Sequence, residues 1–571
     1  MVDLRANPFY LDEESVRWVE ETVEGMTLHE KICQLFVDPL VGMKEPELLD
    51  FLARYPIAGA SFRAAQFTNE EARRIMGHLQ EQSRVPLLYA GNCESGPNGA
   101  LRGGTLVAAG AEVRAARDEQ AAYEVGRISG RETAAVGFNW TFGPVGDVLL
   151  NWRNTLINTR AYGPDAEFVS RCVEAYNRGC LEYGVMPCLK HFPGDGWEER
   201  DQHLVIGNNG LSCEEWDRTF GLIYRNAIQN GVLSIMVAHF TQPAWQRKLN
   251  PSLQDADMLP ACLSFELVEG LLRGELGYNG LVVTDQTKMM GYYGMKRTEA
   301  LPRTIAVGCD IILGINDMEE DYEAVKAGIE SGTITPQRLQ DALYRILGAK
   351  AAMGLHRKRQ QGTLLPDPAE LPCIGCEEHR AIARDIADRA ITLVKNVRNE
   401  LPIRPETHPN IGLILLEGER KNNLMGQGVA ANASSETRKQ IIAALTEAGF
   451  TVKEIPSSMN KGKTKEFAAE YDAVLIFSAV TSFAQTSTVH LRWPEPMSRW
   501  YPWYVPELPV AFISLNYTNQ LYEVPRVPIF INAYNAEPDT IRLVIRKLMG
   551  ESPFLGQADE QVWCDCWDTH F

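Results

Sequence analysis

Ser264-Phe-Glu-Leu-Val-Glu-Gly-Leu-Leu-Arg-Gly-Glu-Leu-Gly-Tyr-Asn-Gly-Leu-Val-Val-Thr-Asp285 reads as one helix followed by one buried strand. Ser264–Leu276 carries the helical pattern. Leu281–Thr284 is a short apolar run that ends on a carboxylate. The same unit recurs on both sides. Strands are expected at Ile57–Phe62, Pro86–Ala90, Asn139–Phe142, Met186–Lys190, Leu233–Ala238 and Asp310–Leu313, with an eighth around Gln34–Val37. Helix-like stretches at Glu70–Glu81, Asp118–Val136 and Ala166–Tyr183 lie between them. Alternation of this kind argues for a parallel α/β fold, and near-continuous apolar strands fit a sheet covered on both faces. A (β/α)8 TIM-like barrel over residues 1–355 is the economical solution.

The pattern breaks at residues 356–378, where His-Arg-Lys-Arg-Gln-Gln is followed by three prolines within Leu364–Pro372; this is linker composition. Residues 379–571 form a second unit, opened by an expected helix at His379–Val394. Its strands are expected at Ile411–Leu416, Ala473–Phe477, Val510–Leu515 and Pro528–Ile531, which gives a smaller α/β domain.

Composition narrows the partners. Hydrophobic residues make up 45% and charged residues 23%, with a formal charge of -18 from 74 acidic and 56 basic side chains. Such a field repels nucleic acid and anionic membrane surfaces. No basic n-region with an apolar run opens the sequence, and no window approaches the ~18 apolar residues of a membrane span. A cytoplasmic location is expected, with the twelve scattered cysteines as reduced thiols. Cys373-x-x-Cys376 with His379 is half of a zinc pattern without a second pair of ligands nearby, so no metal or other cofactor is expected. The oligomeric state is not legible.

In a parallel barrel the chemistry sits where strands end. The polar residues at those ends are Asn92 and Glu94, Lys190 and His191, His239, and Asp285. Charges just beyond buried strands are costly unless used or paired, so their convergence points to a site for a polyhydroxylated ligand. Taken alone, Asp285 reads first as a carboxylate that caps the next helix, ahead of a nucleophile, general base or metal ligand. The loop Lys190-His-Phe-Pro-Gly-Asp-Gly-Trp-Glu-Glu-Arg-Asp-Gln-His203 is more informative, because Asp201 and His203 are spaced for a carboxylate to orient an imidazole.

Lys190-His-Phe-Pro-Gly-Asp-Gly196 followed by Asp201-x-His203 resembles the signature loop of the N-acetylglucosaminidase branch of glycoside hydrolase family 3. Leu271–Asp285 resembles that family's nucleophile segment. Met26-Thr-Leu-His-Glu-Lys-Ile-Cys-Gln-Leu-Phe36, Ala306-Val-Gly-Cys-Asp310, Arg345-Ile-Leu-Gly-Ala-Lys350 and Ala390-Ile-Thr-Leu-Val-Lys-Asn396 match in order along nearly the whole chain. The resemblance implies a TIM-like barrel followed by an α/β sandwich. It also implies a retaining exo-β-glycosidase that acts on a small carbohydrate and releases terminal β-linked N-acetylglucosamine through a covalent glycosyl-enzyme. Asp285 is then the nucleophile, His203 the acid/base and Asp201 its orienting partner. Lys190, His191 and Arg160, the last in Ile157-Asn-Thr-Arg-Ala-Tyr-Gly163, are implied sugar donors, and Asn92 and His239 join them at the rim.

Departures from the family bear on the sugar rather than the reaction. Asn92 stands where the family has an aspartate, which forfeits a charge-assisted bond worth roughly 1 kcal/mol or more. The arginine usual shortly afterwards has no match before Arg102. Asp195 stands where a second histidine is common, and Gln202 replaces a small hydroxyl residue. A β-glucosidase or glycoside phosphorylase is therefore the alternative, since a neutral histidine repels phosphate less than a carboxylate does. A catalytically silent carbohydrate-binding relative is the third reading, and the presence of both Asp285 and His203 opposes it. Binding energy is also expected from the aglycone side, including the aromatic segment Trp493–Trp503.

Overall fold

A computed structural model describes the chain apart from residues 1, 39, 41, 65, 418–432, 459–463, 482–483 and 486–487, and apart from the side chains of 433–435. Its contacts divide it into two compact units. The first comprises Met1–Val107, Ala122–Leu150 and Ala161–Arg380; the second comprises Ala108–Ala121, Asn151–Arg160 and Ala381–Phe571.

The first unit is a TIM-like barrel. Eight strands run β1 (Phe36–Asp38), β2 (Gly59–Ser61), β3 (Leu88–Gly91), β4 (Trp140–Thr141), β5 (Met186–Phe192), β6 (Ser234–Val237), β7 (Leu281–Thr284) and β8 (Ile312–Leu313). They pair in parallel in the order β8-β1-β2-β3-β4-β5-β6-β7, and a parallel bridge between Val283 and Ile311 joins the two ends of that order. Every expected strand is present, generally trimmed at its ends. The strands are buried along their length, as covering by helices on the outer face demands. Local chemistry starts those helices where the apolar pattern begins. Thr68 and Glu71 form a capping box ahead of Asn69–Gln82, and Asp165 caps Ala166–Leu181 with two main-chain bonds.

Asp310, just before β8, is fully buried and bound by Arg273 at 2.8 Å, Arg338 at 2.6 Å and Arg345 at 3.5 Å. The guanidiniums outweigh burial and hold its carboxyl below the ordinary value. Three of the motifs picked out in the sequence, those holding Arg273, Asp310 and Arg345, therefore meet at the opposite mouth from the strand ends, where they serve stability.

The stretch read as linker is more ordered than its composition implies. It carries helical turns at Leu355–Gln360 and Pro368–Cys373, and Arg359 donates to the main-chain carbonyls of Gln80, Ser83 and Arg84. These bonds convert a basic, solvent-loving run into a fixed strap.

In the second unit six strands form one sheet: β9 (Thr392–Asn396), β10 (Asn410–Leu416), β11 (Thr451–Glu454), β12 (Ala473–Ser478), β13 (Val510–Ser514) and β14 (Ile529–Asn532). Their order is β9-β14-β13-β12-β10-β11, with only β9 antiparallel. Apolar clusters cover both faces, as in a sandwich. The helix expected at His379–Val394 stops at Ala390, and the β-branched run that follows pairs with β14 instead. Strand β11 was not expected because its side chains are mostly exposed and leave no apolar run. Trp493, Trp500 and Trp503 pack partly buried against the cluster around Phe512 and Tyr504, and Trp500 donates to the Ile455 carbonyl at 2.7 Å.

Candidate active site

The strand ends of the barrel bring Asp285, His191, His203, His239, Lys190 and Asn92 to one mouth. Asp285 follows β7 directly, and its amide donates to the Val237 carbonyl at 2.7 Å, which locks the residue to the end of β6. The residue is buried, at 7% exposure. The Gln286 amide donates to Oδ1 at 2.7 Å, and the Gln202 carboxamide donates to Oδ2 at 3.2 Å. His191 Nε2 stands 4.0 Å from Oδ2. Burial opposes ionisation here, but His191, His239, His203 and the Gln286 amide together outweigh it and hold the carboxyl below its ordinary value. The site thus keeps an ionised carboxylate at the end of a buried strand.

The loop after β5 carries the Asp201–His203 pair. His203 Nδ1 lies 2.7 Å from Asp201 Oδ1, which also accepts the His203 amide at 2.8 Å. A carboxylate accepts only, so Nδ1 carries the proton and Nε2 is the ring position left to act. That Nε2 is buried and has no hydrogen-bond partner among the described residues. The loop is fastened at several points. Asn209 donates to the Gly194 carbonyl, and Trp216 donates to the Pro193 carbonyl at 2.7 Å. Gly194 has φ +121°, and a Cβ there would sit 2.1 Å from the Phe220 ring, so the turn admits glycine only.

His191 is oriented from a residue that strand-end reading passed over. Asp147 Oδ2 accepts His191 Nδ1 at 2.6 Å, while Oδ1 accepts the amides of His191 at 3.2 Å and Asp195 at 2.8 Å. Asp147 is fully buried, five residues beyond the end of its expected strand. The run Gly143-Pro-Val-Gly-Asp147, with two glycines and a proline steering a carboxylate back toward a strand end, is the signal that could have found it.

Lys190 Nζ forms a buried ion pair with Glu94 Oε1 at 2.6 Å and reaches Asn92 Oδ1 at 3.4 Å. Glu94 therefore brings a carboxylate beside the asparagine that departs from the family pattern. His239 is fully buried, and both ring nitrogens face protein partners: Nε2 donates to the Gln286 carbonyl at 3.1 Å, and Nδ1 lies 3.1 Å from Cys262 Sγ. Burial, ahead of the pull from Asp285, pushes the His239 ring below its ordinary pKa, so it is neutral at pH 7 and accepts the thiol proton at Nδ1. Arg160 lies in the segment assigned to the second unit, where its Nη1 contacts the Leu156 carbonyl at 3.5 Å.

All twelve cysteines are unbridged. His379 is engaged by Glu132 at 2.6 Å, and Glu132 also accepts from Thr105 at 2.6 Å. Among the described residues no helix is long and apolar enough to cross a membrane, and no group of three or more His, Cys, Asp or Glu side chains has metal-holding geometry.

Comparison with known proteins supplies the lineage. A model of the glycosyl hydrolase family 3 N-terminal domain matches residues 27–349. A β-N-acetylglucosaminidase/β-glucosidase from Cellulomonas fimi is 37% identical over 100% of both chains. The solved structure of a β-glucoside phosphorylase is 33% identical, with a TM-score of 0.90 over 99% of both chains. A family 3 β-N-acetylglucosaminidase from Paenibacillus sp. str. FPU-7 is 25% identical with a TM-score of 0.77, covering 93% of this chain and 98% of that one.

Proposed function

The chain belongs to glycoside hydrolase family 3, and from that premise we propose that it is a retaining exo-β-glycosidase releasing terminal β-linked N-acetylglucosamine. The observation that carries the reading is the pairing of a held, ionised Asp285 with a His203 whose Nδ1 is fixed by Asp201 and whose buried Nε2 has no partner among the described residues.

In the first half-reaction Asp285 Oδ2 attacks the anomeric carbon as the bond to the leaving oxygen breaks. Protonated His203 gives its Nε2 proton to that oxygen. In the second half, neutral His203 takes a proton from water, the water oxygen bonds to the anomeric carbon, and Asp285 leaves as carboxylate. The configuration is retained overall. An imidazole titrates near neutral pH and serves both directions. Asp201 orients it.

His191, aimed by Asp147, and Lys190, paired with Glu94, supply hydrogen bonds to sugar hydroxyls, with Asn92 beside them. His239, whose nitrogens are both engaged, positions the rim rather than the sugar. No step calls for a metal.

A second reading is favoured by the structural likeness to a β-glucoside phosphorylase at 33% identity. In that reading phosphate replaces water in the second half and the product is a sugar 1-phosphate. The deciding experiment compares nitrophenyl β-N-acetylglucosaminide and β-glucoside, each with and without phosphate. The proposal expects higher kcat/KM for the N-acetylated substrate with no phosphate requirement. Higher kcat/KM for glucose overturns the sugar, and phosphate-dependent release of a sugar 1-phosphate overturns hydrolysis.

A further inference from the structure

Gln202 lies between the two residues of the acid/base pair, where the family pattern has a small hydroxyl residue, and it is fully buried. Its carboxamide is gripped at both ends. Oε1 accepts the His239 main-chain N–H at 2.9 Å, and Nε2 donates to Asp285 Oδ2 at 3.2 Å. Its own carbonyl accepts the Gly291 amide at 3.1 Å, and the carbonyl of His203 accepts the Met290 amide at 3.0 Å. A Cβ on Gly291 would lie 2.5 Å from the Gln202 carbonyl, so this docking is close-fitting. A serine or threonine side chain is two heavy atoms shorter than this carboxamide and could not span from His239 to Asp285.

Because Oε1 is held by a main-chain donor, the amide cannot flip, and Nε2 is fixed as the end that faces the nucleophile. We infer that Gln202 is a further catalytic residue, which ties the seating of the loop bearing His203 to the orientation of Asp285. The inference rests on Asp285 being the nucleophile.

The chemistry follows from which oxygen each donor holds. Oδ1 is taken by the short bond from the Gln286 amide at 2.7 Å, which leaves Oδ2, with its longer bond, as the oxygen that attacks. When Oδ2 bonds to the anomeric carbon its charge is consumed and the Gln202 bond slackens. When that ester breaks, the electron pair returns to Oδ2 and the Gln202 N–H is already in place to receive it. Gln202 therefore assists departure of the carboxylate in the second half-reaction. Without it the glycosyl-enzyme should accumulate.

The test uses the full-length enzyme with a dinitrophenyl glycoside, for which the second half-reaction limits turnover. In Gln202→Met, kcat should fall at least tenfold and KM should fall with it, the mark of an accumulating intermediate. Loss of packing alone does not produce that coupled fall. In Gln202→Glu, a second carboxylate beside Asp285 should move the acidic limb of the kcat/KM profile upward by at least one pH unit. The titratable groups facing Asp285 are His191, His203 and His239, with the thiols of Cys188 and Cys262, and all stay unchanged in both variants.

A Gln202→Met kcat within twofold of wild type, together with an unmoved acidic limb in Gln202→Glu, overturns the inference. If Gln202→Met does not fold, the nearly isosteric Gln202→Glu decides by its acidic limb alone. Wild-type enzyme treated with a 2-fluoro glycoside and read by peptide mass separates the two ideas. Label on Asp285 with unmoved variants removes only the role of Gln202, whereas label elsewhere removes the nucleophile on which it rests.

Discussion

His203 Nδ1 lies 2.7 Å from Asp201 Oδ1, and the same oxygen accepts the His203 amide at 2.8 Å. One carboxylate oxygen thus fixes both the backbone and the ring of the proposed acid/base, and the opposite ring nitrogen is buried with no hydrogen-bond partner among the described residues.

His203→Ala should show leaving-group dependence. Glycosylation by an alkyl glycoside, whose leaving oxygen needs a proton, should slow by about 10²- to 10⁴-fold. The same step with a dinitrophenyl glycoside should slow far less. Asp201→Ala should follow the same pattern more mildly, because it acts through the ring. Pre-steady-state rates with the two glycosides check this, and equal losses in the first step would remove His203 as the acid.

Asp285→Asn should lower turnover by on the order of 10⁴-fold or more while the protein stays folded, since an amide cannot form the glycosyl-enzyme. Circular dichroism and activity on freshly purified, contaminant-free protein decide the matter. Activity within tenfold of wild type is the contrary result.

Asp147 holds three donors, so Asp147→Ala should strand the amides of His191 and Asp195 and the His191 ring. A stability loss of about 2–4 kcal/mol is expected from such stranded buried groups. The accompanying drop in kcat/KM should come mainly from KM, as His191 loses its aim at the sugar. Asp147→Asn keeps one acceptor and should be milder. Urea titrations and steady-state kinetics measure the two effects separately, and a variant as stable as wild type with an unchanged KM contradicts the role given to Asp147.

The buried, neutral His239 predicts a pH-dependent stability term. Its folded pKa is below the unfolded value of 6.5, so the unfolded chain binds the proton more readily. Its contribution is fully present above pH 6.5 and is lost as pH falls toward the folded value. The difference in unfolding free energy between wild type and His239→Gln should therefore be flat above pH 7 and shrink between pH 6.5 and 5. A difference that is the same at pH 5 and pH 8 would show that the ring does not titrate in folding.

Sequence alone determined the barrel and the ends of its strands. A strand covered on both faces must be apolar throughout, so Leu281–Thr284 or Ser234–Val237 stands out as an unbroken run, and its last polar neighbour marks the rim. That reading picked out Asn92, Glu94, Lys190, His191, His239 and Asp285, while the spacing of Asp201 and His203 in the loop after Lys190 picked out that pair, and a family pattern then sharpened their meaning. The units the sequence misjudged are those whose conformation is set by partners. Thr392–Asn396 looks like the end of a helix until β14 offers it an edge, and the basic strap near Arg359 looks free until three carbonyls bind it.

The same distinction governs the site. Asp147 acts on His191 across 44 residues, and Gln202 acts on Asp285 across 83, with no periodicity or spacing linking either pair. Asp285 and His203 could be recognised from their own segments because strand ends and a carboxylate-imidazole pair are local features. Which oxygen of Asp285 the Gln286 amide holds, which nitrogen of His203 is left without a hydrogen-bond partner among the described residues, and why Lys190 is paired with Glu94 all depend on geometry that only the folded chain sets. A hydrogen bond is decided by tenths of an ångström and by direction, and only the folded chain sets those.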